Sequence, residues 1–275
     1  MRRHVYLTLL VLSAASLAAC GKGGYTVARE PATSARTRTV APGGTATTVP
    51  TSPSTPPPAG GAPSHARALA FAHAVNLTPE DVPGFTPTDK HEGDTARSKR
   101  LEHEALRCIS ATGAGAAGPG ITGGGGVAEQ SSKDFRLQHG IIDFSVSSEV
   151  TVLSSPATAQ RNLHAIRNPK VRGCFSHYLQ QLFAGERFKG ATPGQVSIQG
   201  AVPPAPGSSG GFAWRVTANF LVRGVKIPIY LDFLGFVEGP AQVTLLSSGL
   251  IRPFPAEVQQ KLFSLLLTRA KAHAL

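Results

Sequence analysis

A charge-free, mostly apolar run at residues 5–17, behind Met-Arg-Arg-His and closing on Leu17-Ala18-Ala19-Cys20, limits what this chain can fold into. A basic start, a short apolar stretch and small residues before a cysteine read as a secretory signal over residues 1–19. The run is too short for the roughly 18–20 residues that span a bilayer. Leu-Ala-Ala-Cys resembles the lipobox of bacterial lipoproteins. That resemblance implies cleavage before Cys20, diacylation of its sulfur, and lipid anchoring on the extracytoplasmic face of the bacterial cell membrane. Two or more acyl chains hold firmly, at about 0.8 kcal/mol per buried methylene. A domain anchored in this way needs no membrane-binding face of its own.

The next segment cannot fold either. Residues 39–64 carry no charge and consist almost wholly of Thr, Pro, Gly, Ala, Ser and Val. Such a stretch buries too little apolar surface to offset its ordering entropy. Residues 20–64 therefore read as the lipidated cysteine and a disordered tether, reaching roughly 150 Å if fully extended. Any packed core is confined to residues 65–275, which read as one globular domain.

The chain has three cysteines. Lipid on Cys20 leaves Cys108 and Cys174, a pair with a single connectivity, and an oxidising compartment favours their disulfide. Neither has the close Cys or His spacing of a zinc site.

Helical periodicity marks residues 66–77, 95–109, 156–166, 171–183 and 256–273. Cys108 is expected to point inward with Leu101, Ala105 and Ile109, and Cys174 with Val171, Tyr178 and Leu182. The last helix is expected to bury Val258, Leu262, Leu265 and Leu266. Period-two alternation marks strands at 141–147, 149–153 and 242–247. Phe212, Trp214, Val216, Ala218 and Phe220 form one apolar row, opposite Arg215, Thr217 and Asn219. Val225, Ile227, Ile229, Leu231 and Phe233 form a second, joined to the first by an Arg223-Gly224 turn. The fold class is α+β, an antiparallel β-sheet flanked by helices, with one sheet face buried.

The Asn-Leu-Thr-Pro-Glu-Asp-Val-Pro-Gly-Phe turn at 76–85, with Cys108 in an early helix and Cys174 after the middle one, resembles a known family. It is similar to the extracytoplasmic sensor domains of actinobacterial Ser/Thr kinases of the PknH type and their stand-alone lipoprotein relatives. The resemblance implies a PsbP-like antiparallel sheet flanked by helices, and brings no catalytic residues. The chain departs in having two domain cysteines, where kinase sensors often have more, and no attached kinase.

Other motif matches fail on context. Gly113-x-Gly115-x-x-Gly118 follows a helix and runs into Pro119-Gly120, whereas a dinucleotide loop follows a strand and opens a helix. Gly207-x-Ser209-x-Gly211 precedes a strand, whereas a nucleophile elbow precedes a helix. His91, Glu92, Asp94, Glu102, His103 and Glu104 are local, but Glu102 and Glu104 diverge around a helix. His139, His164 and His177 are scattered. No cofactor or metal is implied.

The domain has 21 basic and 15 acidic residues, a net +6. Arg161, Arg167, Lys170, Arg172, Arg187 and Lys189 face only Glu186 between positions 156 and 189, a patch able to meet anionic surfaces. No nucleic-acid motif accompanies it. The expectation is a non-catalytic envelope lipoprotein that binds or senses a ligand. Its partners are the membrane, through the lipid, and an acidic envelope polymer, lipid or protein. The alternatives are a carrier of a lipid or apolar small molecule, and a hydrolase acting through Ser209. Cys20→Ala is expected to abolish fatty-acid labelling; retained labelling would contradict the lipobox.

Overall fold

The computed structural model describes residues 62–89, 96–113, 126–185, 191–273 and 275. Five helices are described: α1 (His65–Val75), α2 (Ala96–Ala111), α3 (Pro156–Arg167), α4 (Pro169–Gly185) and α5 (Ala256–Ala272). The strands are β1 (Thr86–Thr88), β2 (Ala128–Ser131), β3 (Asp134–His139), β4 (Ile142–Val152), β5 (Ala191–Ala201), β6 (Gly210–Val222), β7 (Val225–Glu238) and β8 (Ala241–Leu250). They form one antiparallel sheet in the order β1-β3-β4-β8-β7-β6-β5, with β2 pairing β4. The class is α+β. Among the described residues no helix is long and apolar enough to cross a membrane.

Several elements differ from the sequence expectation for physical reasons. β4 runs unbroken through Ser147 and Ser148, because both serines are held in its ladder to β8. β5 is an additional strand, disguised by Pro193, Gly194 and Gly200. It lies at the sheet edge with a register shift between Pro193 and Val196, where a proline costs no ladder bond. The Arg223-Gly224 turn does join β6 to β7, with φ of 51° and 81°.

Both faces of the sheet are covered, not one. α3 and α4 pack on the row Phe212, Trp214, Val216, Ala218 and Phe220 and on Ile229, Leu231 and Phe233 of β7. Phe175 of α4 is the hub, its ring centroid 5.4 Å from Trp214 and 5.8 Å from Phe233. α1 and α5 take the opposite face, over Val146, Val150, Phe236, Val243 and Leu245. On α5 the inward residues are Gln259, Leu262, Phe263, Leu266, Leu267 and Ala270, while Val258 is exposed. The buried arc is thus rotated by one position from the expected one, because α5 turns Gln259 toward the buried Asp232. Arg215 contacts Asp232 at 2.6 and 2.8 Å, and Gln259 Nε2 donates to Asp232 at 3.1 Å and to Ser247 Oγ at 2.6 Å.

The 76–85 turn is a polar knot joining α1, β4 and α5. Ser148 Oγ donates to Asn76 Oδ1 at 2.7 Å and accepts from the Leu77 N–H at 2.9 Å. Asn76 Nδ2 donates to the Gln130 carbonyl at 2.9 Å. Thr78 caps the following turn with Asp81, whose carboxylate accepts the Thr78 N–H at 2.8 Å. Arg269 of α5 clamps Asp81 through two bonds of 2.7 Å and reaches the Asn76 carbonyl at 3.0 Å.

Burial alone would raise the Asp81 carboxyl, but the bonds from Arg269 and the Thr78 N–H outweigh it and hold the carboxyl below its ordinary value. A depressed folded pKa supplies stability above the unfolded value of about 3.9 that is lost as pH falls through the folded pKa. Asp81→Asn is expected to lower the unfolding free energy by about 1–3 kcal/mol at pH 7. In urea unfolding, the difference from wild type should shrink below about pH 4. A difference independent of pH would contradict the clamp.

A polar half-face beside the helix layer

The register divides the α3 side of the sheet at β8. On β6 and β7 this side is the aromatic and aliphatic floor of the helix layer. On β4 it presents Asp143, Ser145, Ser147, Glu149 and Thr151, and on β8 Gln242, Thr244 and Ser248, with Leu246 and Leu250 between and beyond them packed against the helix-layer core. Glu129 of β2 extends the Thr151–Gln242 row, and Arg136 of β3 extends the Ser145–Ser248 row. A run of polar residues on strands in the middle of a sheet is costly unless the groups are paired or serve a ligand.

The half-face is graded along its length. At one end Arg136 Nε donates to both Asp143 oxygens at 2.8 and 3.0 Å. That bond raises the Arg136 guanidinium above its already high value, so the charge is fixed. In the next row Ser145 Oγ and Ser248 Oγ lie 2.8 Å apart. At the other end Thr151 is 0% and Thr244 1% exposed, and among the described residues the hydroxyl of neither has a hydrogen-bond partner. The carboxylates of Glu129 and Glu149 lie between, half-buried. Phe212 closes the inner wall, its ring lying where a Cβ on Gly235 would stand. These two hydroxyls stand beside carboxylates and serines in a mostly buried row that is rich in both donors and acceptors.

The residues singled out by sequence fall elsewhere. Cys20, Arg187 and Lys189 lie outside the described residues, as do His91, Glu92, Asp94 and the glycine loop beyond Gly113. Cys108 and Cys174 are joined, with Cα atoms 5.8 Å apart, closing a separation of 66 residues. A loop of that size is worth about 4 kcal/mol in the chain-entropy model. The bridge staples α2 to α4, but Cys108 is exposed rather than inward. α2 lies on α4 and not on the sheet, so its buried arc narrows to Leu101 and Ile109. Beside the bridge is a cleft of about 180 Å³ lined by Leu101, Glu104, His177, Tyr178 and their neighbours.

The four described basic residues divide into two pairs. Arg161 and Lys170 are exposed on α3 and α4. Arg167 turns back to the sheet and donates from Nε to the Gly211 carbonyl at 2.9 Å, and Arg172 lies against Gly200 of β5. The second pair therefore ties helices to strands. Ser209 sits at the mouth of β6, its N–H donating to the Val237 carbonyl and its own carbonyl accepting from Gln160. Among the described residues no group of three or more His, Cys, Asp or Glu is placed to hold a metal ion.

The half-face is hidden in the sequence because alternation on β4 looks like that of any half-exposed strand. One signal was present. Asp143, Ser145, Ser147, Glu149 and Thr151 form an unbroken polar row without a single Lys or Arg, the residues that solvated strands commonly use.

No family model matches the chain, and no curated protein is similar to it. A solved structure to which it is similar is the extracellular domain of PknH from Mycobacterium tuberculosis. The TM-score is 0.41 and the identity 10%, over 77% of this chain and 98% of that one.

Proposed function

We propose that this chain is a lipid-anchored envelope protein whose α+β domain binds a polar ligand on the extracytoplasmic side without transforming it. The observation that carries the reading is the polar half-face, above all the hydroxyls of Thr151 and Thr244, which have no partner among the described residues. Buried donors without partners are retained at a cost, and that cost is recovered when a ligand completes them. The groups beside them are of a binding kind. Arg136 is already paired with Asp143, and Ser145 is paired with a second serine rather than a base.

The cleft described here offers little room to an apolar carrier. The apolar half of the same face is filled by the Phe175, Trp214 and Phe233 cluster. The α2–α4 cleft, at about 180 Å³, falls below the roughly 300–1,000 Å³ of small-molecule sites. The Ser209 loop opens a strand where a hydrolase elbow would open a helix.

The test separates binding from structure. Thr151→Val and Thr244→Val keep side-chain shape and remove an unpaired buried hydroxyl, so each is expected to stabilise the free domain by about 1 kcal/mol. The same pair of substitutions is expected to abolish capture of envelope components, followed by mass spectrometry of what co-purifies. A stabilised variant that captures the same components as wild type would refute the site.

A further inference from the structure

The two long hairpins end in apolar tips at the same end of the sheet. The pairing Asp143↔Leu250↔Ile229↔Ala218 runs across the sheet, and both the β3–β4 and the β6–β7 turns lie beyond it on one side. Among the described residues six large hydrophobics are exposed, and three of them stand beyond that line: Ile141, Leu221 and Val225. Ile141 is 61% and Val225 64% exposed. Hairpin tips are ordinarily built from polar turn formers, and isolated exposed apolar residues are unremarkable. Apolar residues recurring on two hairpin tips at one end of the sheet are neither.

The charge at the tips has one sign. Arg223 and Lys226 are exposed on the β6–β7 tip, and neither residues 137–141 nor residues 221–226 contain a carboxylate. Arg223 occupies the left-handed region at φ 51°, in a two-residue turn where Asn, Asp or Gly is the relaxed choice. The turn thus carries a cation at a position that backbone preference would give to a small residue. Strands are about 4.8 Å apart, so the two turns lie roughly 15 Å from each other across the sheet. The β6–β7 tip projects about three residues, roughly 10 Å, farther than the β3–β4 tip.

We propose that this end of the sheet docks on an anionic lipid surface. The tip side chains enter the boundary between headgroups and acyl chains, a layer about 5–10 Å deep whose full depth spans the offset between the two tips. Arg223 and Lys226 meet lipid phosphates at headgroup level. An acylated Cys20 would not require such a face. Its presence means that the domain itself is held down on the membrane.

Trp214 is the single tryptophan and is buried, so an added one reports on its own surroundings. Ile141→Trp and Val225→Trp, made separately in the full chain, report on the two tips. Val202→Trp, exposed at the opposite end of the sheet, is the control. With phosphatidylglycerol–phosphatidylcholine vesicles, emission from both tip reporters is expected to shift to the blue and to be quenched by brominated acyl chains. The control is expected to stay unchanged, whatever the N-terminus does. Arg223→Gln and Lys226→Gln are each expected to weaken vesicle affinity about fivefold, with the effect fading at high salt. Tip reporters that remain water-exposed on vesicles, or a control that shifts equally, would overturn the proposal. A blue shift that grows with protein concentration in the absence of vesicles would assign the tips to a second copy of the chain and overturn it as well.

Discussion

The unbroken register from β4 through β8 and β7 to β6 is the constraint on which the other features depend. Successive side chains point to opposite faces, so a slip of one residue would transpose the faces of a whole strand. In the observed register Asp232 faces α5, where Arg215 and Gln259 receive it. Displaced by one position it would face the Phe175–Trp214–Phe233 cluster, an unpaired charge among aromatic rings. Ser148 acts likewise on β4. Its hydroxyl is committed to Asn76 and Leu77 on the α1 side, which leaves Ser147 and Glu149 for the other. The polar half-face is thus a consequence of pins placed on the opposite side of the sheet.

Those pins also explain why the domain tolerates a polar surface at its centre. The α1–α5 side supplies an aliphatic core over the same strands β4 and β8. The aromatic layer supplies a second core over β5 to β7. The half-face therefore sits where stability has already been secured from behind and beside it. Groups that break a local packing rule without an evident structural gain are expected at functional positions. Thr151 and Thr244 break that rule, whereas Arg136 and Asp143 satisfy each other.

Much of the architecture was legible in the sequence. The apolar rows of β6 and β7 declare themselves by strict alternation, the Arg223-Gly224 turn by its glycine, and α3 by its Ser155 cap and leading proline. The Asn-Leu-Thr-Pro-Glu-Asp turn was recognisable, but not its reason, because Ser148 and Arg269 are 72 and 193 positions from Asn76. What failed was whatever depends on which neighbour an element meets. Periodicity gives α2 an inward arc that includes Cys108, yet α2 rests on another helix and buries less. It gives α5 an arc without Gln259, because nothing local announces a buried Asp232 across the sheet. The half-face was hidden for the same reason: a polar row on one strand becomes a site only when the neighbouring strands continue it.

Amide hydrogen exchange along β4 and β8 tests the half-face most directly. It is to be measured on the chain alone and in the presence of a soluble envelope fraction. Ligand on the half-face predicts added protection at residues 143–151 and 242–250, with residues 101–108 and 174–181 around the α2–α4 cleft unchanged. Protection confined to that cleft, or no change in β4 and β8 at saturating amounts of the fraction, would contradict it.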